Sequence, residues 1–450
     1  MRSTVATLLL AAVAYLPMGA GAAPLLLISI DGLHPRYVTK SQDPELQIPN
    51  LRSFLTDGAY ADGAVAMVPT VTYPNHTTLV TGVSPSQHGI LSNTTFDPLG
   101  KNREGWYWYA EDIKVPTLWS AASAAKLSTA SVNWPVTVGD KNIQYLLPEF
   151  WRASTPDDLK AIRALSRPEG MLAQMEFRLG AFVDGNTGTL DSDRVRTRFA
   201  VALLKERKPD FLAVHLIALD EIEHEHGPFV ATAYRTLTEL DRMIGELTQA
   251  ALASHPDSVV AIVSDHGFIA THTAVNLRTS FVAAGLIGLK QQAGQAAIDS
   301  WDAQVWSAAA SAAVVLQKSG DAAVSSRVEK LLNELKADPR NGIARVLDRQ
   351  QTAATGGFAG ADFLVEFAPG FYLGSGLKGE LLEPATSRGT HGYLPDREEM
   401  HSSFFIKGRG IAKAKALGTI DMKQIAPTLA GVLGVSLPSA QSQALAVATQ

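Results

Sequence analysis

Three stretches of this chain are apolar almost without interruption: Pro24 to Ile30, Asp210 to Ala218 and Val259 to Ser264. A strand with one wet face alternates apolar and polar residues; a run without alternation fits a strand buried on both faces of a parallel sheet. Each run is followed by a carboxylate, Asp31, Asp220 and Asp265 in turn. Parallel strands bring their carboxyl ends to one edge of the sheet, where ligand groups sit. Any one of these acids alone is better read as a turn residue, Asp31-Gly32 above all. Three acids converging on one edge do not. They would repel one another unless metal ions neutralised them. The expected fold class is therefore α/β, a largely parallel central sheet flanked by helices, with insertions forming a cap.

The other candidate groups lie in short segments between and beyond these runs. Pro69-Thr70-Val71-Thr72-Tyr73-Pro74-Asn75-His76 reads as a turn or helix start, leading into a helix over Thr77 to Gly82. A hydroxyl at a helix N-terminus faces free N–H groups and the positive end of the dipole, a good place for an alkoxide and an anionic substrate. Taken alone, Thr72 is better explained as a cap. Asn93 offers an amide to a phosphoryl oxygen, or closes an Asx turn. His224 follows Asp220 by four residues, His266 follows Asp265 directly, and His391 sits in a tight Gly389-Thr390-His391-Gly392 loop. Trp106 to Tyr109 form an aromatic cluster, which suits core packing or a pocket wall. A long amphipathic helix is expected over 231–253, and further helices over 193–205, 301–314 and 325–335.

Length and composition bound the rest. At 450 residues, 46% hydrophobic and 18% charged, the chain is long enough for one large domain or two to three ordinary ones. A net charge of −5 argues against electrostatic capture of nucleic acid, so no stable nucleic-acid complex is expected. The absence of cysteine excludes disulfides, thiolate-bound zinc, iron–sulfur clusters and thiol nucleophiles. Residues 1–23 read as a signal peptide: Arg2, an apolar run from Val5 to Leu16, and Ala20-Gly21-Ala22 as cleavage site. The alternative is an uncleaved N-terminal anchor. No later stretch is long enough to span a membrane. The expected location is periplasmic or secreted.

Asp31, Thr72, Asn93, Asp220, His224, Asp265, His266 and His391 together make a set of three carboxylates and three imidazoles around a hydroxyl and an amide. Such donors suit two zinc ions held by nitrogen and oxygen alone. Two such ions roughly 4 Å apart clamp the attacking and leaving oxygens of an in-line phosphoryl displacement.

The segments Ile28-Ser-Ile-Asp-Gly32, Thr70-Val-Thr-Tyr-Pro-Asn-His76 with Thr81-Gly82 and His88-Gly89-Ile90, Asp220 to His224 with Gly227-Pro228, Ser264-Asp-His-Gly267 and Gly389-Thr-His-Gly392 follow one another in a familiar order. The chain resembles the nucleotide pyrophosphatase/phosphodiesterase family of the alkaline phosphatase superfamily. The resemblance implies an alkaline phosphatase-like catalytic domain over 24–438, with insertions at about 136–190 and 275–388 and a loose C-terminal tail over 439–450. It implies that Asp220, His224 and His391 hold one zinc, and that Asp31, Asp265 and His266 hold the other together with the Thr72 oxygen. Thr72 is then the nucleophile of a phosphothreonyl intermediate, and Asn93 donates to a non-bridging phosphoryl oxygen. Tyr73, Trp106 and Trp134 are implied as a base-stacking pocket for a small nucleotide or other phosphodiester substrate. His76 and His88 are expected in structural hydrogen bonds. His34, His215, His226, His255, His272 and His401 are expected outside the ligand set. Oligomeric state is not legible.

Several residues depart from the family pattern. Val71 stands where many members carry Lys, Tyr73 where they carry Phe, and Val136 where Gly commonly follows Trp-Pro. Glu221 and Glu223 replace small residues and are expected to face water. These changes bear on substrate preference more than on reaction type. Related enzymes acting on monoesters place Lys or Arg near the phosphate to match its extra charge. None lies inside these motifs, although Lys141 and Arg152 leave the point open. The alternatives are a monoesterase, a lipid-headgroup phosphodiesterase, or a catalytically silent zinc-binding protein. A sulfatase is disfavoured, because Thr72 lacks the required sequence context.

Overall fold

The structure, a computed structural model, describes residues 22–102, 105–151, 156–182 and 187–449. The expected leader therefore lies outside the described residues except at Ala22 and Ala23, and so does Arg152. An eight-stranded sheet forms the centre. Its strands in chain order are β1 (Leu25–Ile30), β2 (Gly58–Tyr60), β3 (Thr129–Val132), β4 (Tyr145–Leu147), β5 (Phe211–Leu216), β6 (Val259–Val263), β7 (Phe404–Gly408) and β8 (Lys415–Ala416). Across the sheet the order is β8-β2-β7-β6-β1-β5-β3-β4. Only β7 pairs antiparallel with its neighbours; all other pairings are parallel.

The unbroken apolar runs are explained by two cores on opposite faces of this sheet. Leu26, Ile28 and Ile30 enter one core, with Leu212, Val214, Val260 and Ile262. Leu25 and Leu27 enter the other, with Phe211, Ala213, Val259, Ala261 and Val263. Helices α2 (Leu190–Arg207) and α4 (Ala231–Ser254) cover the first face. Helix α5 (Ile425–Leu433) covers the second. Each wholly buried Leu, Ile or Val contributes about 1.5–3 kcal/mol relative to exposure, so neither face tolerates a polar period.

Register places the acids. Ile30 lies opposite Leu216 of β5, and Ser29 opposite both His215 of β5 and Val263 of β6. Asp31 leaves the sheet directly after Ile30, Asp265 two residues after Val263, and Asp220 in the first turn of α3 (Ala218–His226). All three emerge at the carboxyl edge.

Helix α1 runs from Thr72 to Thr81, five residues earlier than the sequence pattern indicates. Pro74 lies in its first turn, where a missing N–H costs no intrahelical bond. Gly82 closes the helix in the left-handed conformation at φ 71°.

The stretch over 301–314, expected to be helical, is instead an antiparallel pair, Ala303–Ala308 with Ser311–Leu316. Ala-rich composition suggests helix, but the burial period is two. Ala303, Val305, Ala312 and Val314 enter one cluster, while Trp306, Ala308 and Ala313 enter another. Strands Phe363–Phe367 and Ile343–Leu347 complete a four-stranded antiparallel sheet, flanked by the helix Ala322–Ala337. The last residues are not loose. Val447 is buried, Leu445 N–H donates to Thr428 Oγ1 at 2.7 Å, and Gln441 N–H donates to the carbonyl of Gly82 at 2.9 Å.

Candidate active site

The carboxyl edge of the sheet opens into a cavity of about 390 Å³. Asp31, Thr72, Asn93, Asp220, His224 and His391 line it, together with Tyr73 and Trp106. Asp265 and His266 lie immediately behind, wholly buried. His266 Nε2 is 3.5 Å from Asp31 Oδ1 and 3.0 Å from Asp265 Oδ2. The six metal-ligand candidates therefore meet, although their positions span most of the chain.

The hydrogen bonds around these groups leave one face of each donor open. His224 Nδ1–H donates to the Gly389 carbonyl at 2.9 Å, and His391 Nδ1–H donates to that of Thr70 at 3.0 Å. Each bond fixes the tautomer and leaves the Nε2 lone pair facing the site. Those Nε2 atoms stand 3.6 Å and 3.8 Å from the two oxygens of Asp220. Asp265 Oδ1 accepts from Gly32 N–H at 3.2 Å. Asp31 Oδ1, Asp220 Oδ1, Asp265 Oδ2 and His266 Nε2 are buried and make no hydrogen bond.

Four orphaned donor atoms around a common point are costly unless a cation completes them. Two sets have ligand atoms within 4.8 Å of one another: Asp220, His224 and His391, and Asp31, Asp220 and His266. Asp220 belongs to both. A donor set of imidazole nitrogen and carboxylate oxygen, without thiolate, fits zinc.

Electrostatics point the same way. Burial pushes the Asp31 carboxyl well above its usual range, and the Asp265 and Asp220 charges push it further. Asp220 rises to about 7, chiefly through burial. Burial acts upward on Asp265 too, but His266 and His76 beside it outweigh that and hold it low. His391 and His224 are lowered by burial, which keeps their imidazoles neutral and fit to ligate.

Thr72 opens α1 and is not its cap; Val71 holds that position in an extended conformation. Asn93 Oδ1 accepts from Tyr73 N–H at 2.9 Å, which turns its Nδ2 hydrogens the other way.

The aromatic residues divide. The Tyr73 and Trp106 rings pack edge to face at 5.1 Å beside the cavity. Trp134 does not reach it. Its side chain is fully buried, edge-on to His76 at 5.0 Å and to Trp119 at 5.9 Å. The expectation of a stacking role for Trp134 is therefore corrected to core packing. Glu223 is likewise not in water. It is wholly buried and accepts from Tyr37 Oη–H at 2.5 Å, and burial raises its carboxyl well above the usual range. It also packs against Gly32, where an added Cβ would lie 2.7 Å from the Phe268 ring and 3.0 Å from Glu223 Oε2. Glu221 is exposed and lines the cavity mouth.

Lining residues that the sequence did not single out include Glu149, Trp151 and Arg196, and His215, expected outside the ligand set, also lines the cavity. His215 had a signal: with Ser29 it is a polar residue inside an otherwise apolar buried strand. His76 and His88 make structural bonds, His76 to Ser29 Oγ at 2.8 Å and His88 to Thr78 Oγ1 at 3.2 Å.

The family model for type I phosphodiesterase / nucleotide pyrophosphatase matches residues 25–394. The chain belongs to this family. Mouse ectonucleotide pyrophosphatase/phosphodiesterase family member 1 is 25% identical over 257 residues, 54% of this chain and 24% of that protein. Venom phosphodiesterase of Naja atra is 26% identical over 263 residues, 56% of this chain and 27% of that protein. The match thus spans about a quarter of the length of these relatives. Among solved structures, murine ectonucleotide pyrophosphatase/phosphodiesterase 5 superposes with a TM-score of 0.65 at 16% identity, covering 94% of this chain and 97% of that one. That likeness establishes an alkaline phosphatase-like fold.

Proposed function

We propose that the protein is a secreted, zinc-dependent phosphodiesterase that hydrolyses nucleotide phosphodiester or pyrophosphate bonds through a phosphothreonyl intermediate and releases a nucleoside 5′-monophosphate. The observation that carries this reading is the position of Thr72, on the first turn of α1 and lining the cavity where Asp31, Asp220, His224 and His391 converge. Two zinc ions bound there would supply positive charge to opposite oxygens of a phosphoryl group and lower the pKa of the threonine hydroxyl. Thr72 Oγ attacks phosphorus and expels the leaving alcohol or phosphate; water then cleaves the Thr72–phosphate bond. Asn93 Nδ2 donates to a non-bridging oxygen as its charge grows. Tyr73 and Trp106 offer ring faces and edges to a nucleobase.

Charge favours the diester. Arg196 is the one Lys or Arg among the described residues lining the cavity, and its Nη1 and Nη2 donate to Asp193 and the Thr187 carbonyl. Glu149 and Glu221 add acid to the same wall. A dianionic monoester meets no free cationic side chain there. Secretion is supported by the sequence of residues 1–23 and by relatives named as ectoenzymes and a venom enzyme. No helix among the described residues is long and apolar enough to cross a membrane.

The test compares hydrolysis of the p-nitrophenyl ester of thymidine 5′-monophosphate with that of p-nitrophenyl phosphate, after zinc loading. A clear preference for the nucleotide diester is expected. Equal rates, or preference for the monoester, overturn the assignment.

A further inference from the structure

His215 is buried on β5 with no solvent contact, and both of its ring nitrogens face oxygen. Nε2 is 3.0 Å from Asp31 Oδ2. Nδ1 is 3.2 Å from the Asn133 carbonyl and 3.8 Å from Glu149 Oε2. The ring is further confined by His76, whose centroid lies 4.3 Å away. Asn133 holds the left-handed conformation at φ 58°, uncommon for a residue with a side chain, and so aims its carbonyl at the imidazole.

The two oxygens of Asp31 have unlike surroundings. Oδ2 accepts from His215, whereas Oδ1 is buried, makes no hydrogen bond and stands 3.5 Å from His266 Nε2. A free carboxylate rotates about its last bond and offers either oxygen. One engaged on a single side by a ring that cannot move offers only the other. Asp265 repeats the device through a different donor: its Oδ1 is taken by Gly32 N–H and its Oδ2 is left open.

We propose that His215 is the positioning residue of the second metal site: by donating from Nε2 to Asp31 Oδ2 it presents Oδ1 to the cation, while burial on β5 and the neighbouring His76 ring hold the imidazole in place. The usual arrangement, in which a histidine ligates and a carboxylate orients it, is here reversed. This rests on the metal-dependent reading given above. His215 has no exposed surface and acts through Asp31.

Two substitutions separate this role from packing. In His215→Asn the amide reaches the place of Nδ1, so the Asn133 contact survives and the Asp31 bond is lost. In His215→Gln the amide reaches the place of Nε2, so the Asp31 bond is kept. Zinc affinity and stoichiometry are read by titrating chelator-stripped protein calorimetrically, with the folded state checked by circular dichroism. Loss of a group that orients a metal ligand typically weakens metal binding about 10- to 100-fold. His215→Asn is expected to weaken one of two zinc sites at least tenfold, with His215→Gln staying near wild type. Equal affinities in both variants overturn the proposal, whether both match wild type or both fall. A wild-type chain that takes up no zinc pair would instead overturn the parent reading. If one variant fails to fold, His215→Phe replaces it as the form lacking the Asp31 bond, and unchanged zinc affinity in that form is equally fatal.

Discussion

Asn93 Oδ1 accepts a hydrogen bond from the backbone N–H of Tyr73, the residue directly after Thr72. The bond ties a loop amide to the first turn of α1 and sets which end of the amide is free to donate. Asn93→Ala is expected to lower kcat/KM on a nucleotide diester about 10²- to 10³-fold, the range for losing one oxyanion donor. Steady-state kinetics checks this. A loss below tenfold would show that Nδ2 does not meet the transition state.

Thr72→Ala should fold and bind zinc as the wild type does, yet lose turnover. Thr72 is half-buried and is not the helix cap, so little stability rides on its hydroxyl. Acid quenching of the wild type during turnover, followed by peptide mass spectrometry, should recover the nucleoside 5′-phosphoryl group on the Thr72 peptide. Substantial activity in Thr72→Ala would remove the nucleophile assignment.

Asp220 lies within ligating distance of both groups of metal donors, whereas His224 belongs to one. Asp220→Ala should therefore reduce zinc content at both sites, and His224→Ala at one only. Elemental analysis after dialysis reads this directly. Full occupancy of either site in Asp220→Ala would show that the sites do not share that carboxylate.

His88 is wholly buried and is lowered from 6.5 to about 3, through burial. Below pH 6.5 the unfolded chain gains a proton that the native chain refuses, so the unfolded state is favoured as pH falls towards 3. At pH 5 this group alone costs about 2 kcal/mol relative to pH 7, at 1.36 kcal/mol per pKa unit. Urea unfolding at both pH values should show a smaller acid loss in His88→Asn than in the wild type. The same loss in both would locate the acid sensitivity elsewhere.

The three strand-end acids were legible because burial on both faces forces an unbroken apolar run, and an Asp closing such a run stands out. His391 was legible only through its glycine-flanked loop, since nothing in the residues before it forms an apolar strand ending there. The pair of strands within 301–314 was hidden because alanine fits helix and sheet alike. Its period of two becomes visible only when neighbouring elements show which residues are covered. Trp134 was misplaced for a related reason: an aromatic ring is equally at home in a core and in a pocket wall. Glu223 reads as a solvated helix acid until Tyr37 is seen to donate to it across the fold. His215 carried a signal as a polar residue inside a buried strand, but which acid it served depended on strand register.

The groups lining one cavity run from Asp31 to His391, far apart along the polypeptide. During synthesis, Asp31, Asp220 and Asp265 are all made well before His391. A ribosome-bound chain can therefore bring mutually repelling charges together long before the last imidazole exists. Metal loading becomes a late event in the life of each molecule, and any truncation ahead of residue 391 removes the last imidazole together with β7, which joins β2 to β6, and α5, which covers one face of the sheet.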